Sequence, residues 1–117
     1  MELLKNDFIT IKIGRNRYRK VFLENILYCK ADRSYSLIKT FDAEYSFSES
    51  LKAIEDLFET HKYYLRVNRS YIVNLTNCIE LKIGTKPELI LKNGEIVHPN
   101  DAYITEIMAF FKISKTE

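Results

Sequence analysis

Glu88-Leu89-Ile90-Leu91-Lys92, then Asn93-Gly94, then Glu95-Ile96-Val97 commits this part of the chain to a β-hairpin. Asn-Gly readily supplies the two positive φ angles of a two-residue turn, and its flanks are strand formers. The same pattern recurs along the sequence. In Phe8-Ile9-Thr10-Ile11-Lys12-Ile13 the isoleucines fall on every second residue, which places them on one side of a strand. Gly14-Arg15-Asn16 marks a turn, and Arg17 to Leu23 returns as the second arm of a hairpin. Ile26-Leu27-Tyr28-Cys29-Lys30 is the next strand, followed after Asp32-Arg33-Ser34 by Tyr35 to Thr40 and then by Ala43 to Phe47. Further strands are predicted for Tyr63 to Arg66, Tyr71 to Leu75 and Cys78 to Ile83, with breaks at Asn77 and Gly84-Thr85-Lys86-Pro87. Short strands with short turns at this spacing point to a mostly β, mostly antiparallel protein.

Two segments change period. Leu51, Ile54, Leu57 and Phe58 recur at helical spacing, and Ser46 with Glu49 resembles a capping box, so an amphipathic helix is predicted over about 47–60. After Pro99, the residues Ala102, Ile104, Ile107, Met108 and Phe111 form an apolar stripe. They predict a closing helix of about three turns, about 101–113, capped by Asn100 or Asp101. No repeat, linker or low-complexity tract interrupts the sequence, so 1–117 reads as one domain.

Charge is unevenly spread. Residues 1–39 carry nine Lys or Arg against four acids, residues 40–60 one against six, and residues 61–117 eight against six. A basic and an acidic side follow, and the basic one suits a polyanion; a merely solvated surface gives the same numbers. The acids Glu49, Glu55, Asp56 and Glu59 fall on the predicted first helix, which therefore turns away from DNA. No apolar run approaches the length of a membrane span, and Met1 to Asp7 holds too short an apolar stretch for a signal-peptide core, so a cytoplasmic, soluble protein is expected.

Chemistry-bearing residues are sparse. Cys29 and Cys78 lack the paired spacing of a metal site and read as buried reduced thiols. His61 and His98 have no patterned acid or cysteine partner, and Gly14, Gly84 and Gly94 sit singly in turns, where they cannot build a phosphate-cradling loop. No catalytic set, metal set or cofactor motif is expected, nor a small-molecule substrate. The eight tyrosines and seven phenylalanines lie mostly in strand or helix cores, with Tyr35 and Tyr103 beside polar loops.

What remains is a polar knot: Tyr64-Leu65-Arg66-Val67-Asn68-Arg69-Ser70-Tyr71-Ile72-Val73-Asn74. Asn68 and Arg69 have opposite strand parity, so only a loop or bulge presents both to one side. Arginine bonds guanine or phosphate in pairs, asparagine does likewise with adenine, and serine reaches a phosphate oxygen. Equally, an Asn-Arg-Ser turn satisfies its own backbone and leaves its arginines solvated. Residue chemistry alone leaves both readings open.

Taken in order, three blocks resemble the LytTR DNA-binding domain found at the end of many bacterial response regulators. They are Ile26-Leu27-Tyr28-Cys29-Lys30-Ala31 with Tyr35; Ser50-Leu51 to Leu57 leading into Arg66 to Asn74; and Leu91-Lys92-Asn93-Gly94-Glu95-Ile96-Val97. The likeness runs from about Gly14 to Phe111. It implies an elongated stack of antiparallel sheets that reads double-stranded DNA with loops, on paired short repeats, as a dimer or as two adjacent monomers. By position, DNA contact falls on Arg33, Ser34 and Tyr35, then Arg66, Asn68, Arg69 and Ser70, then Asn100 and Tyr103. Where the family commonly shows Ser-Arg or Arg-Arg before its tyrosine, this chain reads Asn100-Asp101-Ala102-Tyr103. That departure removes a cation from the third segment and adds a charge that repels phosphate. A protein-interaction module that kept the fold and lost DNA reading is the alternative.

Overall fold

The computed structural model describes residues 7–113; residues 1–6 and 114–117, including most of the N-terminal stretch weighed above as a signal peptide, lie outside the described residues. In chain order come β1 (Phe8–Gly14), β2 (Arg17–Phe22), β3 (Ile26–Asp32), β4 (Tyr35–Thr40), β5 (Glu44–Phe47), α1 (Leu51–Leu57), β6 (Tyr64–Asn68) and β7 (Tyr71–Asn74). They are followed by β8 (Cys78–Lys82), β9 (Glu88–Leu91), β10 (Ile96–Val97) and α2 (Ile104–Phe110). The strands form three antiparallel sheets, ordered β1-β2, β5-β4-β3-β7-β6 and β10-β9-β8. The described body measures 54 × 32 × 25 Å. The expected elongated stack of antiparallel sheets with two helices is what the chain forms.

The five-stranded sheet is the middle layer. Its central strand is covered on both faces, which is why Ile26-Leu27-Tyr28-Cys29 is apolar throughout instead of alternating. A register shift between Ile26 and Tyr28 lets Leu27 and Tyr28 enter the same core. Ile26, Cys29, Ile38, Ile72 and Tyr64 pack on one side with Ile11, Val21, Leu51, Ile54 and Phe58 from β1, β2, α1 and its exit. Leu27, Val67 and Val73 pack on the other with Leu89, Leu91, Val97 and Ile107. Burying a Leu, Ile or Val contributes about 1.5–3 kcal/mol each, so these two cores hold the layers in register.

Two buried asparagines fasten the sheet's far end. Asn74, fully buried, donates from Nδ2 to the carbonyls of Leu23 (3.2 Å) and Ile26 (2.9 Å) and accepts at Oδ1 from Thr76 N (3.0 Å) and Thr76 Oγ1 (2.6 Å). Asn77 donates to Glu24 O (3.0 Å) and Ile26 O (2.8 Å), and the Tyr64 hydroxyl to Leu23 O (2.6 Å). These bonds satisfy carbonyls of the short 3-10 turn Leu23–Asn25 and of Ile26, which follows it, as buried positions require. Cys29 is fully buried and Cys78, expected to be so, is half-buried; desolvation pushes both thiols up to about 12, so both are neutral at pH 7.

Three local expectations change. The first helix is shorter than 47–60, and its N-cap is Ser50, whose side chain accepts from Ala53 N at 3.2 Å. Ser46 sits instead in β5 opposite Leu37, because pairing with β4 outweighs the capping pattern. The β9–β10 hairpin has a three-residue loop, Lys92-Asn93-Gly94: Gly94 N donates to Leu91 O and Leu91 N to Glu95 O, both at 2.9 Å. Gly94 alone takes positive φ, +90°, since Asn93 Oδ1 accepts from Glu95 N (3.1 Å) and holds an Asx turn. The closing helix starts as a 3-10 turn, Asp101–Tyr103, before α2, and neither Asn100 nor Asp101 supplies a side-chain cap.

Candidate nucleic-acid interface

The β3–β4 connection is a two-residue tip. Asp32 pairs with Tyr35, so Arg33 and Ser34 form the loop, and Arg33 adopts φ +60°. A single positive φ at the first loop position is where glycine is normally found, and a bulky residue there costs on the order of 1 kcal/mol. Arg33, Ser34 and Tyr35 are all exposed, Tyr35 at 51%.

The β6–β7 tip resolves the parity problem of the polar knot. Arg66 pairs with Ile72 and Asn68 with Tyr71, so Val67 forms a bulge and Arg69-Ser70 is the loop. Arg66 is drawn inward: Nη2 donates to Arg69 O at 2.8 Å, and Nη1 lies 3.4 Å from Glu55 Oε1 on α1. Asn68 is a two-way brace, accepting from Ser70 N at 2.8 Å and donating from Nδ2 to His98 O at 2.8 Å. Arg69 is exposed, and among the described residues it forms no ion pair.

The third segment is stitched to the second. Asn100 N donates to Val67 O at 2.8 Å, and Tyr103 N donates to Asn100 O at 3.0 Å. Asn100, Asp101 and Ala102 are exposed, while Tyr103 is half-buried against the second core. The first and second tips are likewise joined, because β3 and β7 run antiparallel and Ala31 N donates to Ser70 O at 2.8 Å.

All nine residues singled out in the sequence therefore lie along one edge of the sheet stack. They divide by use: Arg33, Ser34, Tyr35, Arg69 and Asn100 face solvent, while Arg66, Asn68 and Tyr103 are engaged within the fold and Ser70 is half-buried. Three neighbours were not foreseen. Lys30 is exposed opposite Tyr71, its Nζ 5.8 Å from the ring centroid. His98 lies between the second and third segments with Nδ1 3.1 Å from Pro87 O, which brings the loop carrying exposed Lys86 alongside. The sequence signal for Lys30 and His98 was their place just before a recognised loop, masked by their ordinary residue types; Lys86 carried none.

Asp7 and His61 approach to 3.6 Å beside Phe8, Leu57 and Phe58, a shallow depression lined by no serine, cysteine or second carboxylate among the described residues. Among the described residues no group of His, Cys, Asp and Glu gathers as metal ligands, and no helix is long and apolar enough to cross a membrane.

Polar tips braced to one another along one edge of stacked antiparallel sheets define the class of β protein to which this chain belongs. The sequence profile described as the LytTr DNA-binding domain matches residues 16–112, and the chain belongs to that family. It is 27% identical over 92 residues to the sensory transduction protein LytT of Bacillus subtilis, a match covering 77% of this chain and 38% of that protein. The chain thus spans well under half the length of that relative. A solved LytTr DNA-binding domain from Bacillus cereus has the same fold, with a TM-score of 0.73 at 20% identity, covering 89% of this chain and 95% of that one.

Proposed function

We propose that this domain binds double-stranded DNA in a sequence-dependent way through the loops of one edge, and that it regulates transcription. The observation that carries the reading is the cross-bracing of three polar segments into one row by the Ala31–Ser70, Asn68–His98 and Asn100–Val67 hydrogen bonds. A rigid row of side chains is what base readout requires, since a loosely held loop loses binding energy to ordering. Arg33 and Arg69 are the base-reading cations, Ser34, Tyr35, Ser70 and Asn100 add polar contacts, and Lys30 and Lys86 neutralise phosphates. Arg66, Asn68 and Tyr103 position the others. Glu55 on α1 holds Arg66.

A bidentate arginine contact to guanine contributes about 1–3 kcal/mol of discrimination, and the third segment lacks one. Arg33 and Arg69 therefore carry most of the specificity. Paired short repeats, occupied by a dimer or by two adjacent monomers, are the expected target. Exposed Asp101 and Ala102 favour the second reading, an interaction module without DNA affinity. Selection from a random duplex pool followed by gel-shift titration separates the two. Arg69→Ala should weaken binding to the selected duplex roughly 5- to 150-fold. Lys92→Ala, on the hairpin at the opposite end, should bind like the unmodified protein. Failure to select or bind any duplex at low salt supports the interaction module instead.

A further inference from the structure

The β1–β2 hairpin is strongly basic and lies outside the nine residues discussed above. Between Phe8 and Phe22 it holds Lys12, Arg15, Arg17, Arg19 and Lys20 and no acid. All five are exposed. Arg19 reaches the Tyr45 hydroxyl at 3.4 Å, and Lys20 sits over the Phe8 ring at 4.6 Å. Among the described residues, Lys12, Arg15 and Arg17 form no ion pair. Such a concentration of unpaired charge is unfavourable to folding through self-repulsion, and it attracts polyanions.

Its direction follows from what it packs against. Val21 and Phe22 line a depression with Thr40, Asp42 and Tyr45, whereas Lys12 and Ile13, nearer the turn, line the next one with Glu44, Tyr45 and Ser46. Moving toward the hairpin turn is therefore moving along β5 toward Phe47, and Phe47 pairs with Ser36, the neighbour of Tyr35. The Arg15-Asn16 turn points toward the same end of the sheet stack as the Arg33-Ser34 tip. The turn itself is fixed: Gly14 pairs with Arg17, and Asn16 holds φ +56°, a conformation asparagine tolerates. Glu44, exposed on β5, is the one acid lining the second depression.

We propose that the β1–β2 hairpin is a fourth DNA-contacting element, which grips the phosphate backbone beside the stretch read by the three loops, with Arg15 and Arg17 as its phosphate ligands. This rests on the DNA-binding reading above. The hairpin belongs to the first sheet, the first and second loops to the middle sheet and the third segment follows the last sheet, so the row extends along the stack. A body 54 Å long spans roughly 16 base pairs at about 3.4 Å each, enough for backbone contact beyond the bases that are read. Phosphate contacts add affinity and fix register without selecting sequence. The profile match begins at residue 16, inside this turn, so β1 falls outside it.

The double substitution Arg15→Gln with Arg17→Gln keeps polar, hydrogen-bonding side chains and removes two charges. Affinity is measured by fluorescence anisotropy over a salt series, on the selected duplex and on a scrambled duplex of equal length, beside Arg69→Ala. The expected result is a log K against log salt slope shallower by about two, with equal fold-losses on both duplexes. Arg69→Ala should instead lose affinity mainly on the selected duplex. An unchanged slope in the double variant, with Arg69→Ala still impaired, overturns the hairpin contact and leaves the loop reading standing. A loss confined to the selected duplex makes the hairpin a base reader and overturns the phosphate role. No binding of either duplex by the unmodified protein at low salt overturns both.

Discussion

Replacing Asn68 by alanine removes two bonds at once: the Ser70 N–H to Oδ1 and the Nδ2–H to His98 O, each 2.8 Å long. The first closes the Arg69-Ser70 turn, and the second ties that turn to the third segment. Asn68 is half-buried, so water replaces them only in part. At about 1 kcal/mol net for each hydrogen bond, the variant should be less stable by about 2 kcal/mol, a drop in melting temperature on the order of 10 °C. DNA affinity should fall with it, because the braced row of loops is no longer rigid. Thermal unfolding by circular dichroism gives the first number and anisotropy titration well below the transition gives the second, while hydrogen exchange at the Ser70 amide should accelerate. A variant that melts like the unmodified protein but fails to bind would make Asn68 a base-reading residue and refute the brace. One that melts and binds unchanged would refute both bonds.

Other consequences follow from the same contacts. Asn74→Ala strips four bonds from a fully buried amide and should cost about 4 kcal/mol, read as a lower urea midpoint with an unchanged slope. Arg33→Gly relieves the φ +60° backbone, so it should melt no lower than the unmodified protein while binding the selected duplex several-fold more weakly. A lower melting temperature would show that the arginine holds the fold. Cys29 and Cys78 are pushed from an ordinary 9.0 up to about 12, so above pH 9 the unfolded chain loses thiol protons that the folded chain keeps. Their contribution to stability is full below pH 9 and is lost as pH rises toward 12, and melting scans from pH 8 to pH 11 should fall accordingly. Melting temperatures flat across that range would contradict the desolvation of both thiols.

Period-two patterning was enough to place most strands, because every sheet here buries one or both faces against another layer. Ile9, Ile11 and Ile13 illustrate it: alternation in sequence became inward packing on the middle sheet. The errors arose where local and long-range bonding compete. Ser46 had the sequence context of a cap, yet strand pairing to Leu37 claimed it, and Ser50 capped instead. Asn93-Gly94 had the signature of a two-residue turn, but the Asn93 side chain took the Glu95 amide and widened the loop by one residue. At the candidate site, residue types were legible and roles were not. Arg66 and Arg69 look alike in sequence, and only the folded partners of Arg66, the Arg69 carbonyl and Glu55 eleven residues earlier on a helix, distinguish an inward brace from an outward cation. Asn74, within the same polar stretch, is a latch for Leu23 and Ile26, partners no local pattern announces.

The most direct test of the loop edge is an amide chemical-shift titration of the labelled domain with the selected duplex. The account predicts that the amides of Arg33, Ser34, Tyr35, Arg69, Ser70 and Asn100 shift together as duplex is added, while those of Lys92, Asn93 and Gly94, at the opposite end, stay in place. Shifts centred on the Lys92 to Gly94 hairpin, or on the acidic α1 helix with the loop edge unchanged, would contradict it.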